Sequence, residues 1–424
     1  MTVVHVVAAG EIGGAERMLL DLARPTAPTQ ELEHRSVCGP SLVGEFRAAR
    51  GATTTDTGVS GGGVTKRCDG NRRKDEGSKR IGALGRRHVI ALFTPNEALR
   101  RLFRDSGLEI EDRGSVREGP VPYLASTFGT GDVRWLAAVL ERQRARIVHL
   151  HTFASQVLGT RAARWVGARV VRTEHSTRVY DDPTCWPFSR WSLRRADAVV
   201  FISEHVRSVG LAREPKLRDS THPQLYVVHN GVDTTHFMPS SSPRPRPHGG
   251  RVRFIALGRL DRRKGLDIAL EALAEVPEAD LAIVGDGEER AALEALASQL
   301  GVSERVRFVG YAEDVRSAIA ESDVALSSAR QEGLGVALLE AMAMERPVVA
   351  LPTGGVPEVV RDGETGWLAS NGSARALARA MQASIDAPDE LRRRGAAARA
   401  RVEDHFSVIS MRRGYEAVYA RLRP

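Results

Sequence analysis

Two carboxylates and two cations carry most of the chemistry this sequence offers. Glu332 and Glu340 stand eight residues apart in Glu332-Gly-Leu-Gly-Val-Ala-Leu-Leu-Glu340, around the start of a helix. With a helix beginning near Gly335, Glu340 lies roughly 7 to 8 Å along its axis at 1.5 Å per residue. One acid then reaches a ligand at the helix mouth and the other a second part of that ligand. An amphipathic core helix explains the Leu and Val pattern, but neither Glu332 nor the glycines Gly333 and Gly335 before it. Upstream, Gly258-Arg259 follows a strand-like run and Lys264-Gly265 opens a helix. The Arg fork and the compact Lys charge together suit a diphosphate. Surface pairing with Asp261 or Asp267 is the alternative reading.

Further polar groups sit just past strand-like runs, where ligands bind in open α/β sheets. Gly13-Gly14 offers bare amides ahead of a positive helix end. His149-Leu150-His151 ends a strand, and alternation sends one imidazole into the sheet packing and leaves the other, His151, free. Glu174-His175 and Ser203-Glu204-His205 occupy similar places, with Ser203 reading as a helix N-cap.

The elements that must position these groups form two series. Apolar runs at 3–8, 146–150, 169–173, 198–202 and 226–229 alternate with helical spacing such as 15–23. Buried Val- and Ile-rich runs alternating with helices indicate a parallel sheet covered on both faces. Residues 239–250, rich in Pro and Ser, break the pattern as a linker. The alternation restarts with strands at 252–257, 280–284, 306–309, 324–327 and 347–351 and helices at 265–274 and 288–300. The sequence thus predicts an N-terminal domain over 1–238, a C-terminal domain over 251–406, both Rossmann-like and doubly wound, and a last helix within 407–424 free to pack back on the first.

Composition agrees with a folded chain of two cores. At 424 residues it exceeds the roughly 250 to 300 that one core sustains, and 42% hydrophobic with 27% charged residues is ordinary for a globular protein. The net charge of +8 is concentrated: between Lys66 and Arg87 nine basic residues face three acidic ones. Residues 58–87, with Gly61-Gly62-Gly63, read as a disordered insertion or a translated frameshift. This charge run lacks interleaved aromatics, which argues against nucleic acid and leaves contact with a membrane face open. Cys38, Cys68 and Cys185 have no metal-ligand spacing. The absence of a bilayer-length apolar run or a basic leader points to the cytoplasm.

Taken together in order and spacing, these motifs resemble the retaining glycosyltransferase family 4 of GT-B fold. The residues that carry the likeness are Gly13-Gly14-Ala15-Glu16, His149-Leu-His151, Asn230-Gly231-Val232-Asp233, Gly258-Arg259, Lys264-Gly265, Gly285-Asp286-Gly287, the Glu332/Glu340 pair and Gly354-Gly355-Val356-Pro357-Glu358, spread over most of the chain outside 58 to about 117. The resemblance implies two Rossmann-like domains facing across a cleft and a hexosyltransferase of nucleotide diphosphate sugars. Its acceptor would be a glycan, a lipid-linked or a small molecule, in cell-surface polysaccharide or natural-product glycosylation. It further implies that Arg259 and Lys264 hold the diphosphate, Glu332 the sugar hydroxyls and Glu340 the ribose, with His151 beside the sugar. Gly13, Gly14, Gly258, Gly285, Gly333, Leu334 and Gly335 would line the donor, and Glu16 and His175 the acceptor side. Leu334 stands where an aromatic is common, and no Asp-x-Asp motif is present, so no metal or other cofactor is implied. A nucleotide-sugar 2-epimerase or a non-catalytic interaction protein are the rival readings. An epimerase would alter its nucleotide sugar with no acceptor present.

Overall fold

The computed structural model describes residues 1–8, 14–24, 86–114, 129–239 and 250–422. The first sheet holds seven parallel strands: β1 Thr2–Ala8, β2 Arg87–Phe93, β3 Glu109–Asp112, β4 Ala145–Leu150, β5 Arg169–Glu174, β6 Ala198–Phe201 and β7 Gln224–Val227. Their order is β3-β2-β1-β4-β5-β6-β7. The second holds β8 Val252–Leu257, β9 Ala279–Val284, β10 Val306–Gly310, β11 Val324–Ser327, β12 Val348–Ala350 and β13 Gly366–Leu368, all parallel, in the order β10-β9-β8-β11-β12-β13. β1 is buried at every position from Val3 to Val7, as a strand with helices on both faces must be. In each sheet the winding reverses once, between β1 and β4 and between β8 and β11. Crevices at the carboxyl ends of strands open at such reversals.

Three strands lie outside those expected. β2 has an apolar run, His-Val-Ile-Ala-Leu-Phe, that the basic residues before it conceal, and β3, Glu-Ile-Glu-Asp, is a charged edge strand with no apolar run. β13 is three residues long. The expected insertion also ends earlier than 87: Arg87 opens β2 and Arg86 pairs with Glu416 on the last helix. Residues 58–85, the linker residues 240–249, Gly13, Cys38 and Cys68 lie outside the described residues.

Several contacts among the described residues join the sheets. The helix Val408–Arg421 returns to the first sheet and buries Met411, Tyr415, Val418 and Tyr419 against Val3, Ile147, Val171 and Val200. Where it crosses, Val232 donates its N–H to the Phe406 carbonyl at 2.8 Å and accepts from Val408 N at 3.1 Å, so the Asn230–Asp233 motif has a backbone role. Ser203 caps the helix Glu204–Arg213 by accepting from Val206 N at 3.1 Å, and its hydroxyl donates to the Gly333 carbonyl at 2.6 Å. Glu358 meets the same helix start. Its carboxylate accepts from Glu204 N at 2.9 Å, His205 N at 2.8 Å and His229 Nε2 at 3.0 Å. The Glu204 and His205 amides therefore serve the junction.

Burial opposes the charge on Glu358, yet the His229 bond and the two amides hold its carboxyl below the usual range. A carboxyl with a depressed folded value adds stability above its unfolded value, about 4.3, and loses it as pH falls through the folded one. Glu358→Ala is expected to lower unfolding stability by about 1.5 to 3 kcal/mol near pH 7, the range for bonds to a charged group. The difference from wild type, measured by urea denaturation, should vanish as pH falls well below 4.

Candidate active site

The crevice of the second sheet is built from backbone first. After β11 the chain reaches Glu332 and then the helix Val336–Ala343, whose N-cap is Gly335. Gly354 and Gly355 lie beneath this loop so closely that a Cβ on Gly354 would fall 1.9 Å from the Glu332 carbonyl oxygen. A Cβ on Gly285 would likewise fall 1.9 Å from the Gly258 carbonyl oxygen, so these two glycines let the ends of β8 and β9 touch. Gly333 abuts the first sheet, with the His175 carbonyl 3.1 Å from where its Cβ would be.

On this frame Lys264 Nζ donates to Glu332 Oε2 at 2.7 Å. The alternative partners are taken. Asp261 caps the turn at Arg262–Lys264, accepting from Arg263 N at 3.0 Å, and pairs with the Arg263 guanidinium. Asp267 holds Arg330 by two bonds of 2.6 Å. Lys264 and Glu332 line one cavity with Leu257, Ser327, Ser328 and Gly335. Arg259 follows β8 and is exposed. Leu334 corrects the expectation for the sugar pocket: its side chain is buried in the core, so a donor can meet only its backbone.

Glu340 lies half-buried on the helix. Burial pushes its carboxyl up to about 7, Arg17 on the helix Gly14–Ala23 opposing and Asp21 adding to the rise. Gly14 opens that helix, and Glu16 is buried in its first turn.

His151 is not free. It lies one residue past the end of β4, where strict alternation stops, and its ring centroid is 4.0 Å from that of His149. Both are buried. The rings of four histidines on neighbouring strands or just beyond them join in a row. His88 Nδ1 meets His5 Nε2 at 2.8 Å, His5 Nδ1 meets His151 Nε2 at 3.0 Å, and His151 Nδ1 meets His175 Nε2 at 3.3 Å. Burial depresses all four, His88 and His175 to about 4 and the inner two well below their ordinary value, so the row is uncharged at neutral pH. His149 stands beside it, bonded to Tyr419 Oη and Thr173 Oγ1 at 2.7 Å each. Ring nitrogens of His5, His149 and His151 approach one another closely enough for a metal ion. Each of these rings, however, already has both nitrogens engaged by protein partners. The last nitrogen of the row, His175 Nδ1, is closed off from solvent with no partner.

His151 and His175 form one wall of a second cavity, about 320 Å3, at the carboxyl end of the first sheet. Glu16 is not among its walls, whereas Gln156, Glu174 and Arg178, which sequence reasoning did not single out or placed only loosely, are. Gln156 is one turn into the helix Phe153–Val166, a position with no motif to mark it.

Comparison with known proteins agrees with this architecture. Residues 81–236 match the family described as Glycosyltransferase Family 4, and residues 240–401 that described as Glycosyl transferases group 1. The likeness thus reaches β2 and β3, beyond the expected limit. The chain is 34% identical over 334 residues to the GDP-mannose-dependent alpha-(1-6)-phosphatidylinositol monomannoside mannosyltransferase of Mycolicibacterium smegmatis, spanning 71% of this chain and 82% of that protein. It is 30% identical over 300 residues to the putative glycosyltransferase EpsD of Bacillus subtilis, spanning 65% and 77%. Among solved structures, HepE of Anabaena in complex with UDP and glucose superimposes with a TM-score of 0.72 at 18% identity, over 99% of both chains. Two adjoining family matches and these relatives settle its membership: the chain belongs to glycosyltransferase family 4, glycosyl transferases group 1, and has the GT-B fold.

Proposed function

We propose that the chain transfers a sugar from a nucleotide diphosphate donor to an acceptor hydroxyl with retention at the anomeric carbon, and that it needs no metal. The Lys264–Glu332 pair at the reversal point of the second sheet carries this reading. The two side chains hold each other. A donor separates them, Lys264 turning to the diphosphate with Arg259 and Glu332 to the sugar hydroxyls. The acceptor oxygen bonds the anomeric carbon as the bond to the diphosphate breaks; the electron pair leaves with the diphosphate, whose freed oxygen takes the acceptor's hydroxyl proton. Fixed cations stabilise that growing charge, and the start of the helix Val336–Ala343 adds its positive end. Gly258, Gly285, Gly333 and Gly335 shape the donor crevice through backbone, and Gly14 would line its far side.

Related proteins support a nucleotide sugar as donor: HepE was crystallised with UDP and glucose, and the mycobacterial mannosyltransferase is GDP-mannose-dependent. Among the described residues no helix is long and apolar enough to cross a membrane. We assign the reaction to the cytoplasm, with any membrane contact set by the acceptor.

Lys264→Ala and Arg259→Ala should each lower turnover with saturating donor by about 10²- to 10³-fold, or about 3 kcal/mol of barrier, with melting temperature little changed. Normal turnover in both would remove the diphosphate role. Glu332→Gln should retain measurable transfer, because an amide still hydrogen-bonds sugar hydroxyls. The product anomer, read by NMR coupling, should match the donor in wild type and variant; inversion would reject the retaining assignment. Because Glu340 ionises only near pH 7, donor affinity should improve as pH rises through that value. Titration calorimetry of Glu340→Gln should find that step gone.

A further inference from the structure

The cavity beside His175 contains a hydrogen-bond donor whose direction is fixed from behind. Gln156 is 4% exposed, and lines the cavity. Behind it Arg172, fully buried, is ion-paired with Glu174. Arg172 also sends Nη2 to Ser189 Oγ at 2.5 Å and Nη1 to the Ser189 carbonyl at 2.6 Å. Arginine can only donate, so Ser189 Oγ accepts there and gives its own proton to Gln156 Oε1 at 3.2 Å. The amide oxygen therefore faces Ser189. Nε2 faces the other way, has no partner among the described residues, and is not closed off from solvent.

Among the described lining residues the charges around this donor cancel. His151 and His175 are neutral by burial, and the Cys185 thiol is raised by burial, so none of the three is charged near pH 7. Glu174 is matched by Arg172 and also accepts from Tyr180 Oη at 3.0 Å. Arg178 and Asp182 on the same wall carry opposite charges, the Asp182 carboxyl held down to about 2 by the Thr184 hydroxyl and amide. Among the described lining residues only Phe153 and Val179 have large apolar side chains, too few to bed an acyl chain. The volume of about 320 Å3 lies near the lower end of small-molecule sites, roughly 300 to 1,000 Å3.

We infer that this cavity is the acceptor subsite, that it takes an uncharged polyhydroxyl ring, a sugar or cyclitol, and that Gln156 Nε2 fixes one of its hydroxyl oxygens. The assignment as acceptor rests on the transfer reaction proposed above. His175 brings the cavity within reach of the donor crevice, since its carbonyl abuts Gly333, the residue after Glu332.

The test is binding to the full chain by saturation-transfer NMR and calorimetry, with four probes: methyl α-glucopyranoside, myo-inositol, glucose 6-phosphate and 1-octanol. At least one neutral polyol should bind, no more weakly than glucose 6-phosphate, and 1-octanol should not compete with it. Gln156→Met, which keeps the length and removes the donor, should weaken that binding tenfold or more. Should that variant not fold, the side-chain amide resonance of Gln156 in the wild type should shift on titration with the polyol. Failure of both polyols to bind, tenfold tighter binding of the phosphate, displacement by 1-octanol, unchanged affinity in folded Gln156→Met or an unmoved amide resonance would each overturn the inference. Release of nucleoside diphosphate from UDP-glucose and GDP-mannose is followed in parallel. Release without polyol binding overturns the subsite and leaves the transfer reaction standing. Polyol binding without release of either diphosphate overturns the assignment as acceptor.

Discussion

The loop that carries Glu332 is held on three sides, and the candidate active site depends on that restraint. Its loop is pressed from below by the backbone of Gly354 and Gly355, tied across to the first sheet by the Ser203 hydroxyl on Gly333, and held from the side by Lys264. Each restraint comes from a different strand end. Backbone packing thus places the loop, and the bond to Lys264 holds the carboxylate on it. The same loop touches the first sheet through Ser203 and the His175 carbonyl, so the two halves meet one residue from the Glu332 carboxylate.

Glu358 and the last helix complete that arrangement. A carboxylate at a helix start is favoured by the helix dipole and by the amides it satisfies, and here the carboxylate comes from the second sheet and the helix from the first. The helix Val408–Arg421 belongs in sequence to the end of the second half and in space to the first, where Tyr419 bonds His149. Chain order and spatial order are interleaved.

Much of this was legible in the sequence. Buried runs such as 3–8 and 252–257 announced parallel strands because both faces of such strands are apolar, and the Glu332/Glu340 spacing announced a helix mouth. β3 was not legible because an edge strand need not be apolar, and its Glu109 and Glu111 instead bond Arg87 and Arg142. The identity of the Lys264 partner was not legible either, since Glu332 lies sixty-eight residues away and Asp261 lies three. Gln156 was invisible for a related reason: its role is set by Arg172 and Ser189, on other elements. The inward turn of the Leu334 side chain was not legible, because the resemblance gives its place beside the donor and not the direction of the side chain, which the core takes up.

The row of imidazoles has a consequence of its own. Each of the four rings is neutral, so each carries one proton on one of two nitrogens, and each of the three links between rings is a hydrogen bond only if it holds one proton, no more and no less. Those conditions leave two arrangements, every ring protonated at Nδ1 or every ring protonated at Nε2. In the first, His175 Nδ1 is a donor; in the second, an acceptor. The row is thus a binary element: whichever state holds at half-buried His88 is copied, ring by ring, to the wall of the cavity.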